Sequence, residues 1–215
     1  MAELPVSGPP APDTLIESQR KRRERIVRAA LRLLERREYD KIQVREVAEA
    51  ADVALGTVYR YFASKEHLFA AVMQEWGASL DKRLRRDPLQ GDDVAARLTD
   101  LMDRIITAFE RRPQFFRLMV IMDSTPDEHA RELMDGFRTR ATSTMGEPLD
   151  VLAPDDAKAV LDVVNAVLSS LLRSWVAGTL PMSEVRRRMS RSIELIFSPP
   201  PVPVSGGEPV GVEAG

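Results

Sequence analysis

The chain of 215 residues contains no cysteine and only two histidines, His67 and His129. Disulfides, thiolate metal centres and cysteine nucleophiles are excluded, and a metal site is not expected. Aromatic residues make up 6% of the chain, with three tyrosines and two tryptophans, so any place that gathers them is informative. No uninterrupted apolar run approaches the ~20 residues that span a bilayer, and no membrane contact is expected. The opening residues Met1-Ala2-Glu3-Leu4-Pro5 lack the basic and apolar regions of a secretory leader, so a reducing, cytoplasmic location is expected. The patterns HExxH, GxGxxG and the P-loop are missing, and each supplies a metal or phosphate site to an enzyme. The acidic pairs Asp92-Asp93, Asp127-Glu128 and Asp155-Asp156 fall at predicted helix starts, where the helix dipole explains them. Neither an enzyme nor a cofactor is expected.

Hydrophobic residues reach 44%, enough to bury a core. The net charge of −2 conceals a partition along the chain. Residues 1–17 carry three acidic groups and no basic one. Residues 18–86 carry 17 Lys+Arg against 10 Asp+Glu, and residues 87–215 carry 14 against 20. A basic segment in an acidic protein reads either as a surface that meets a polyanion or as helices with a solvated charged face.

Periodicity is helical throughout, and the predicted class is all-α with about nine helices. Ile26, Ala29, Ala30, Leu33 and Leu34 recur on one face of a first segment at about Ser18–Arg37. Two short segments follow at about Val44–Ala51 and Leu55–Phe62. Ser64 is a good cap for a fourth, carried by Leu68, Val72, Trp76, Leu80 and Leu84 to about Arg86, where Asp87-Pro88 ends it. Five more are expected at about Asp93–Arg111, Pro113–Asp123, Pro126–Gly146, Pro154–Gly178 and Met182–Phe197. Prolines 113, 126, 154 and 181 sit at or just before first-turn positions, where a missing N–H costs least. The expected organisation is a disordered arm at 1–17, a small head at 18–65, a connecting helix at 66–86, a larger body at 87–197 and a disordered Pro-rich tail at 198–215.

The chemistry concentrates between Val44 and Phe62. Two short helices joined by a tight turn place Leu55, Gly56, Thr57, Tyr59 and Arg60 on the second helix, followed closely by Lys65. That surface fits a DNA major groove. The matching residues are Val47-Ala48, Ala51-Asp52-Val53, Gly56-Thr57-Val58-Tyr59-Arg60-Tyr61-Phe62, Lys65 and Leu68. On these the stretch from about Lys21 to Trp76 resembles the TetR (tetracycline-repressor-like) family of transcriptional regulators. Where the family usually has Thr at the start of the first of these helices the chain has Gln43, and where it has a turn Gly the chain has Asp52, which tolerates left-handed backbone better than most residues.

The resemblance implies a double-stranded DNA operator read by Leu55, Thr57 and Arg60, with Gly56 and Ala54 permitting close approach. Gln43, Arg45, Tyr59, Tyr61 and Lys65 are then expected to position the backbone, the alternatives being that Tyr61 packs on the first helix as core and that Lys65 is an ordinary exposed side chain. The run Arg20, Lys21, Arg22, Arg23 and Arg25 reads as a phosphate-tracking arm or as a solvated face. The resemblance also implies a homodimer through the eighth and ninth segments, which spaces two reading helices one DNA turn apart. An effector cavity is implied among the fifth to eighth segments. Its apolar candidates are Met102, Ile106, Phe109, Phe115, Phe116, Met119, Met122, Met134, Phe137, Leu168 and Trp175, each equally readable as core. Asn165 and Arg173 are the polar candidates. Few charges interrupt Phe115–Met122, so a small apolar effector is expected. Gly56–Trp76 resembles the branch that controls steroid and lipid catabolism, which implies a steroid- or lipid-derived molecule. The reading as a whole is a ligand-responsive repressor whose fourth helix tilts on binding, with a DNA-binding regulator that takes no small-molecule ligand, or an all-α enzyme or scaffold in which the two short helices are only packing, as the alternatives.

Overall fold

Apolar spacing close to 3.6 becomes nine α-helices and no strand over residues 9–198, the part of the chain that the computed structural model describes. They are α1 (Glu17–Leu34), α2 (Val44–Ala50), α3 (Leu55–Tyr61), α4 (Lys65–Leu84), α5 (Val94–Arg111), α6 (Pro113–Met122), α7 (Glu128–Gly146), α8 (Pro154–Val176) and α9 (Met182–Phe197). Residues 1–8 of the expected arm and 199–215 of the expected tail lie outside the described residues. The arm's last part is corrected: Pro12–Thr14 forms a 3-10 turn and Leu15 is buried, which anchors the chain before α1.

Local chemistry sets the helix ends. Ser64, Asp93 and Asp127 each accept a hydrogen bond from a backbone N–H three residues on, at 2.9, 2.7 and 2.7 Å, which satisfies one orphan donor of α4, α5 and α7. The α7 cap moves the helix start from the expected Pro126 to Glu128. Pro113 and Pro154 take first-turn positions of α6 and α8. Between α2 and α3, Asp52 has φ of 52°, the left-handed conformation that its place in the turn requires.

The head consists of α1 to α3 and the first turn of α4. Ile26, Ala30, Leu34, Val47, Val58, Phe62 and Leu68 are buried together. Its attachment to the body runs along α4, which lies parallel to α7 with matched residues rising together. The His67 and His129 rings stack with centroids 5.0 Å apart. Gln74 donates to the Leu133 carbonyl and accepts from Arg140 at 2.9 Å. Beyond them, Thr144 donates to Asp81, and Arg85 pairs with Glu147. Two glycines make the approach possible: a Cβ at Gly77 would stand 2.6 Å from Phe137, and one at Gly136 would stand 2.7 Å from the Gln74 amide. A second link joins the end of α1 to α6, where Arg112 pairs with Glu35, Arg117 pairs with Glu38 and Gln114 donates to the Glu35 carbonyl at 3.2 Å.

In the body, α8 and α9 pack on each other and α9 lies against α5. Helix α8, which Asp162 and Arg173 interrupt, has a mean hydropathy of 1.4 over its most apolar stretch, high enough by length and composition alone to cross a membrane, yet only 22% of that stretch is buried. Val164, Leu168, Leu171 and Leu172 point inward, while Ala159, Val163 and Ala166 are exposed. An apolar face that wide needs a cover.

Two predictions follow from these contacts. Asp52→Val places a β-branched residue at positive φ and lowers stability by about 1–2 kcal/mol in urea unfolding, whereas Asp52→Gly holds or raises it. His67 is buried and its Nδ1 accepts from the Ala63 N–H at 3.2 Å, so its neutral form is the one built in. Burial first, then His129 and Arg23, push its pKa down from 6.5 to about 4, against the pull of Asp127. The unfolded chain therefore takes up the proton first. The contribution is intact above pH 6.5 and declines as pH falls toward 4, by on the order of 2–3 kcal/mol. Urea titrations across that window show the decline, and His67→Gln flattens it.

Candidate nucleic-acid interface and apolar cavity

Helix α3 has the short, open architecture of a reading element. Val58 turns inward and Phe62 closes the helix from below, both at 1% exposure or less. The opposite side presents Ala54, Gly56, Tyr59 and Arg60 exposed, with Leu55 and Thr57 half-buried beside them. Tyr59 is 49% exposed, unusual for a large aromatic side chain that could pack. A Cβ at Gly56 would meet no atom within 4 Å, so the glycine's use lies in what approaches from outside. On α2, Gln43 and Arg45 are exposed on the same head. The Gln43 N–H is held by Glu46 at 2.8 Å, and Glu46 is held in turn by Arg37 at 2.9 Å. Arg45 and Arg60 take no part in the ion pairs within the head, which join Lys21 to Glu17 and Arg37 to Glu46.

Three expectations change here. Tyr61 is 2% exposed and belongs to the head core, because the helical turn that brings Tyr59 outward carries Tyr61 inward. Lys65 is half-buried: its ammonium donates to the Tyr39 carbonyl at 2.8 Å and lies 4.1 Å from the centre of that ring, and burial pushes its pKa down. Two of its three protons remain for other acceptors. The basic run divides. Arg23 lies half-buried over the Phe62 ring, 5.0 Å from its centre, where burial lowers its pKa. Arg25 donates to the Asp52 carbonyl at 3.3 Å, and Arg20, Lys21 and Arg22 stay exposed. Sequence reasoning missed Tyr39, which packs edge-on against Phe69 at 5.1 Å, donates to Glu66 at 2.9 Å and gives Lys65 its seat. Burial and Glu66 raise its pKa.

A cavity of about 300 Å³ opens between α4, α5, α6, α7 and α8. Of the expected lining, Phe109, Phe116, Met119, Phe137 and Leu168 are there, together with Asn165. The others are corrected. Met102 and Ile106 lie on the side of α5 that faces α9. Phe115 is fully buried, stacked on Trp76 at 4.7 Å, and Met122 and Met134 are core. Trp175 lies outside the lining, and Arg173 pairs with Asp123 at 2.7 Å beside the mouth. The missing wall comes from α4, as Trp76, Gly77, Leu80, Asp81 and Leu84. The Trp76 indole N–H is buried and has no acceptor among the described residues. Exposed Asp123, Arg138, Arg140 and Thr142 mark the open side. Burial opposes the Asp81 charge, but the Thr144 hydroxyl and Arg85 hold its carboxyl below the usual range. The arrangement encloses an apolar body and offers charge at its mouth.

Residues 26–72 match the family described as bacterial regulatory proteins, tetR family, and residues 91–196 match a tetracyclin repressor-like C-terminal domain. The chain is 32% identical over 188 residues to the HTH-type transcriptional repressor KstR of Mycolicibacterium smegmatis, which spans 84% of this chain and 89% of that protein. To the repressor of the same name from Rhodococcus jostii it is 31% identical over 192 residues, 86% of this chain and 87% of that one. Among solved structures, a TetR transcriptional regulator from Rhodococcus sp. RHA1 superposes with a TM-score of 0.72 at 23% identity, covering 84% of this chain and 98% of that one. Thermus thermophilus FadR, solved with lauroyl-CoA, superposes with a TM-score of 0.66 at 24% identity, covering 86% and 100%.

Proposed function

The chain belongs to the TetR family of bacterial regulatory proteins, and we propose that it is a dimeric transcriptional repressor released from its operator by a small apolar effector. The observation that carries this reading is α3, whose outer face offers Leu55, Thr57, Tyr59 and Arg60 above a glycine with nothing in front of it. Arg60 has the donor fork for guanine, and the Thr57 and Leu55 methyl groups suit thymine. Tyr59, Gln43, Arg45 and the remaining Lys65 protons serve phosphate, which fixes register without reading sequence. Ala54 keeps the start of α3 slim. Repression rather than activation is supported by the relatives, which are named repressors. The protein works in the cytoplasm, alongside the DNA.

One seven-residue helix reads too few base pairs to find a genomic site. The exposed apolar face of α8, with Leu195 of α9 at 58% exposure and Val163 at 49%, supplies the surface for a second copy. A two-fold pair of this kind sets two α3 helices about 34 Å apart, one DNA turn. The effector enters the cavity beside α4. Its body is apolar because the walls are, and its outer end is polar because Arg138, Arg140 and Asp123 surround the mouth. A lipid- or steroid-derived molecule fits that division. The acyl-CoA found in the Thermus thermophilus FadR structure is an example of such a molecule in a protein of the same fold. Release requires that the effector bind the off-DNA state more tightly than the reading state.

Gel-shift titration against the intergenic DNA beside the protein's own gene tests the reading, and absence of a specific shift throughout that DNA would refute it. Tyr59→Ala weakens binding by about tenfold on all sequences that bind, as loss of a phosphate contact does. Arg60→Ala also changes base preference, because each base contact carries about 1–3 kcal/mol of discrimination. Equal affinity of Tyr59→Ala and wild type would remove that residue from the interface. In sedimentation equilibrium, Val163→Asp shifts dimer to monomer, since a carboxylate in an apolar interface carries an uncompensated desolvation cost.

A further inference from the structure

We propose that Asp123 holds the place of the effector's own acidic end, and that the cavity selects apolar molecules terminating in a single carboxylate over neutral ones. The proposal rests on the effector reading above and specifies the class of effector. Asp123 and Arg138 stand in the rim of the cavity. The Asp123 carboxylate spans two guanidinium groups: Oδ1 accepts from Arg138 at 3.0 Å, and Oδ2 accepts from Arg173 at 2.7 Å. Arg138 comes from α7 and Arg173 from α8, while Asp123 follows the last residue of α6. Three elements therefore close on one carboxyl group at the opening of an apolar cavity. Two planar donor forks around one planar anion are a geometry suited to carboxylate recognition. Here the chain itself supplies the anion.

Asp123 is poorly placed for its own helix. It caps the C-terminus of α6, with its N–H donating to the Met119 carbonyl at 3.0 Å, and a carboxylate there meets the negative end of the helix dipole. The two arginines are what hold it. All three side chains are partly exposed, so these pairs are weak and exchangeable. A ligand carboxylate that arrives with an apolar body displaces Asp123, because the body adds burial that the aspartate lacks. Met119, one turn before Asp123 on α6, and Leu168 and Leu172, which precede Arg173 on α8, line the cavity. An apolar chain that begins at the arginine pair continues onto these side chains. The rim also keeps a cation in excess. Arg138 has a second carboxylate, Asp135, at 2.7 Å on its outer side, whereas Arg140 has the neutral Gln74 amide at 2.9 Å and no carboxylate among the ion pairs of the described residues. Asp81, the other carboxylate of the cavity wall, is engaged by Thr144 and Arg85. A neutral effector leaves the Asp123 pairs as they are and makes no use of the arginines.

Isothermal titration with decanoate and decanol, alike but for the end group, tests the proposal. Wild type binds decanoate about tenfold more tightly than decanol, as a charge-assisted pair of hydrogen bonds provides. Asp123→Asn keeps the shape and removes the competing charge. It tightens decanoate binding about tenfold further and leaves decanol binding within about twofold of wild type. Arg173→Gln, outside the cavity lining, loses the preference for decanoate and keeps the affinity for decanol. Equal affinity of wild type for the two probes, or an Asp123→Asn protein that binds decanoate no more tightly, overturns the proposal and leaves an apolar effector standing. Where Asp123→Asn proves too unstable to study, an Arg173→Gln protein that retains the wild-type preference overturns it. Binding of neither probe to any of the three proteins removes the effector reading, and the proposal with it.

Discussion

The approach of α4 to α7 is the constraint from which the rest of the molecule takes its arrangement. Two helices can run parallel at this distance only where side chains step aside, and Gly77 and Gly136 do so at the middle of the contact. The polar groups that flank them then find one another in order, Gln74 with the Leu133 carbonyl and Arg140, and Asp81 with Thr144. Because α4 is also the last helix of the head, its course along α7 decides how α3 is carried. The same contact forms one wall of the cavity. A single packing arrangement thus serves as attachment, as cavity wall and as the connection between them.

Chemistry is divided along this axis. The head gathers exposed cations around α3 and keeps its own core aromatic and small, with Phe62, Phe69 and several alanines buried. The body is acidic outside and apolar within. The junction is built largely from groups that are neutral or held: His67, its pKa pushed down to about 4, stacked on the His129 ring, and the Asp127 carboxylate, which accepts from the Ala130 N–H. Charge left unpaired there would penalise every contact between head and body. On the other side of the body, α8 leaves an apolar face bare, and a second copy is the cover that suits a reader needing two heads.

Much of the head was legible in sequence because its signals are local. The turn needed a residue that accepts positive φ, and Asp52 adopts 52°. The α4 cap needed a hydroxyl or carboxylate ahead of an apolar run, and Ser64 provides it. Tyr61 was misread because two tyrosines two positions apart look alike in a motif, while helical rotation sends one to solvent and the other to the core. The cavity was legible only in part. Phe109, Phe116, Met119, Phe137 and Leu168 line it, but Met102 and Ile106 share the same composition and spacing and face α9 instead. Spacing says that a residue lies on the inner stripe, and it is silent on which neighbour that stripe meets.

By itself the sequence determined the all-α class, the nine helical segments within a few residues, the absence of cysteine chemistry and the family of the reading head. Each follows from interactions among residues a few positions apart: helical periodicity, capping, turn conformation and a short motif. Only the tertiary structure decided that α4 supplies a cavity wall, that Arg138 and Arg140 stand at its mouth, that Arg23 turns inward over Phe62 and that Gly77 receives Phe137. These depend on crossing angle and rotation between helices distant in the chain, which arise from packing all the apolar stripes at once. No window of sequence contains that information, because it belongs to pairs of helices.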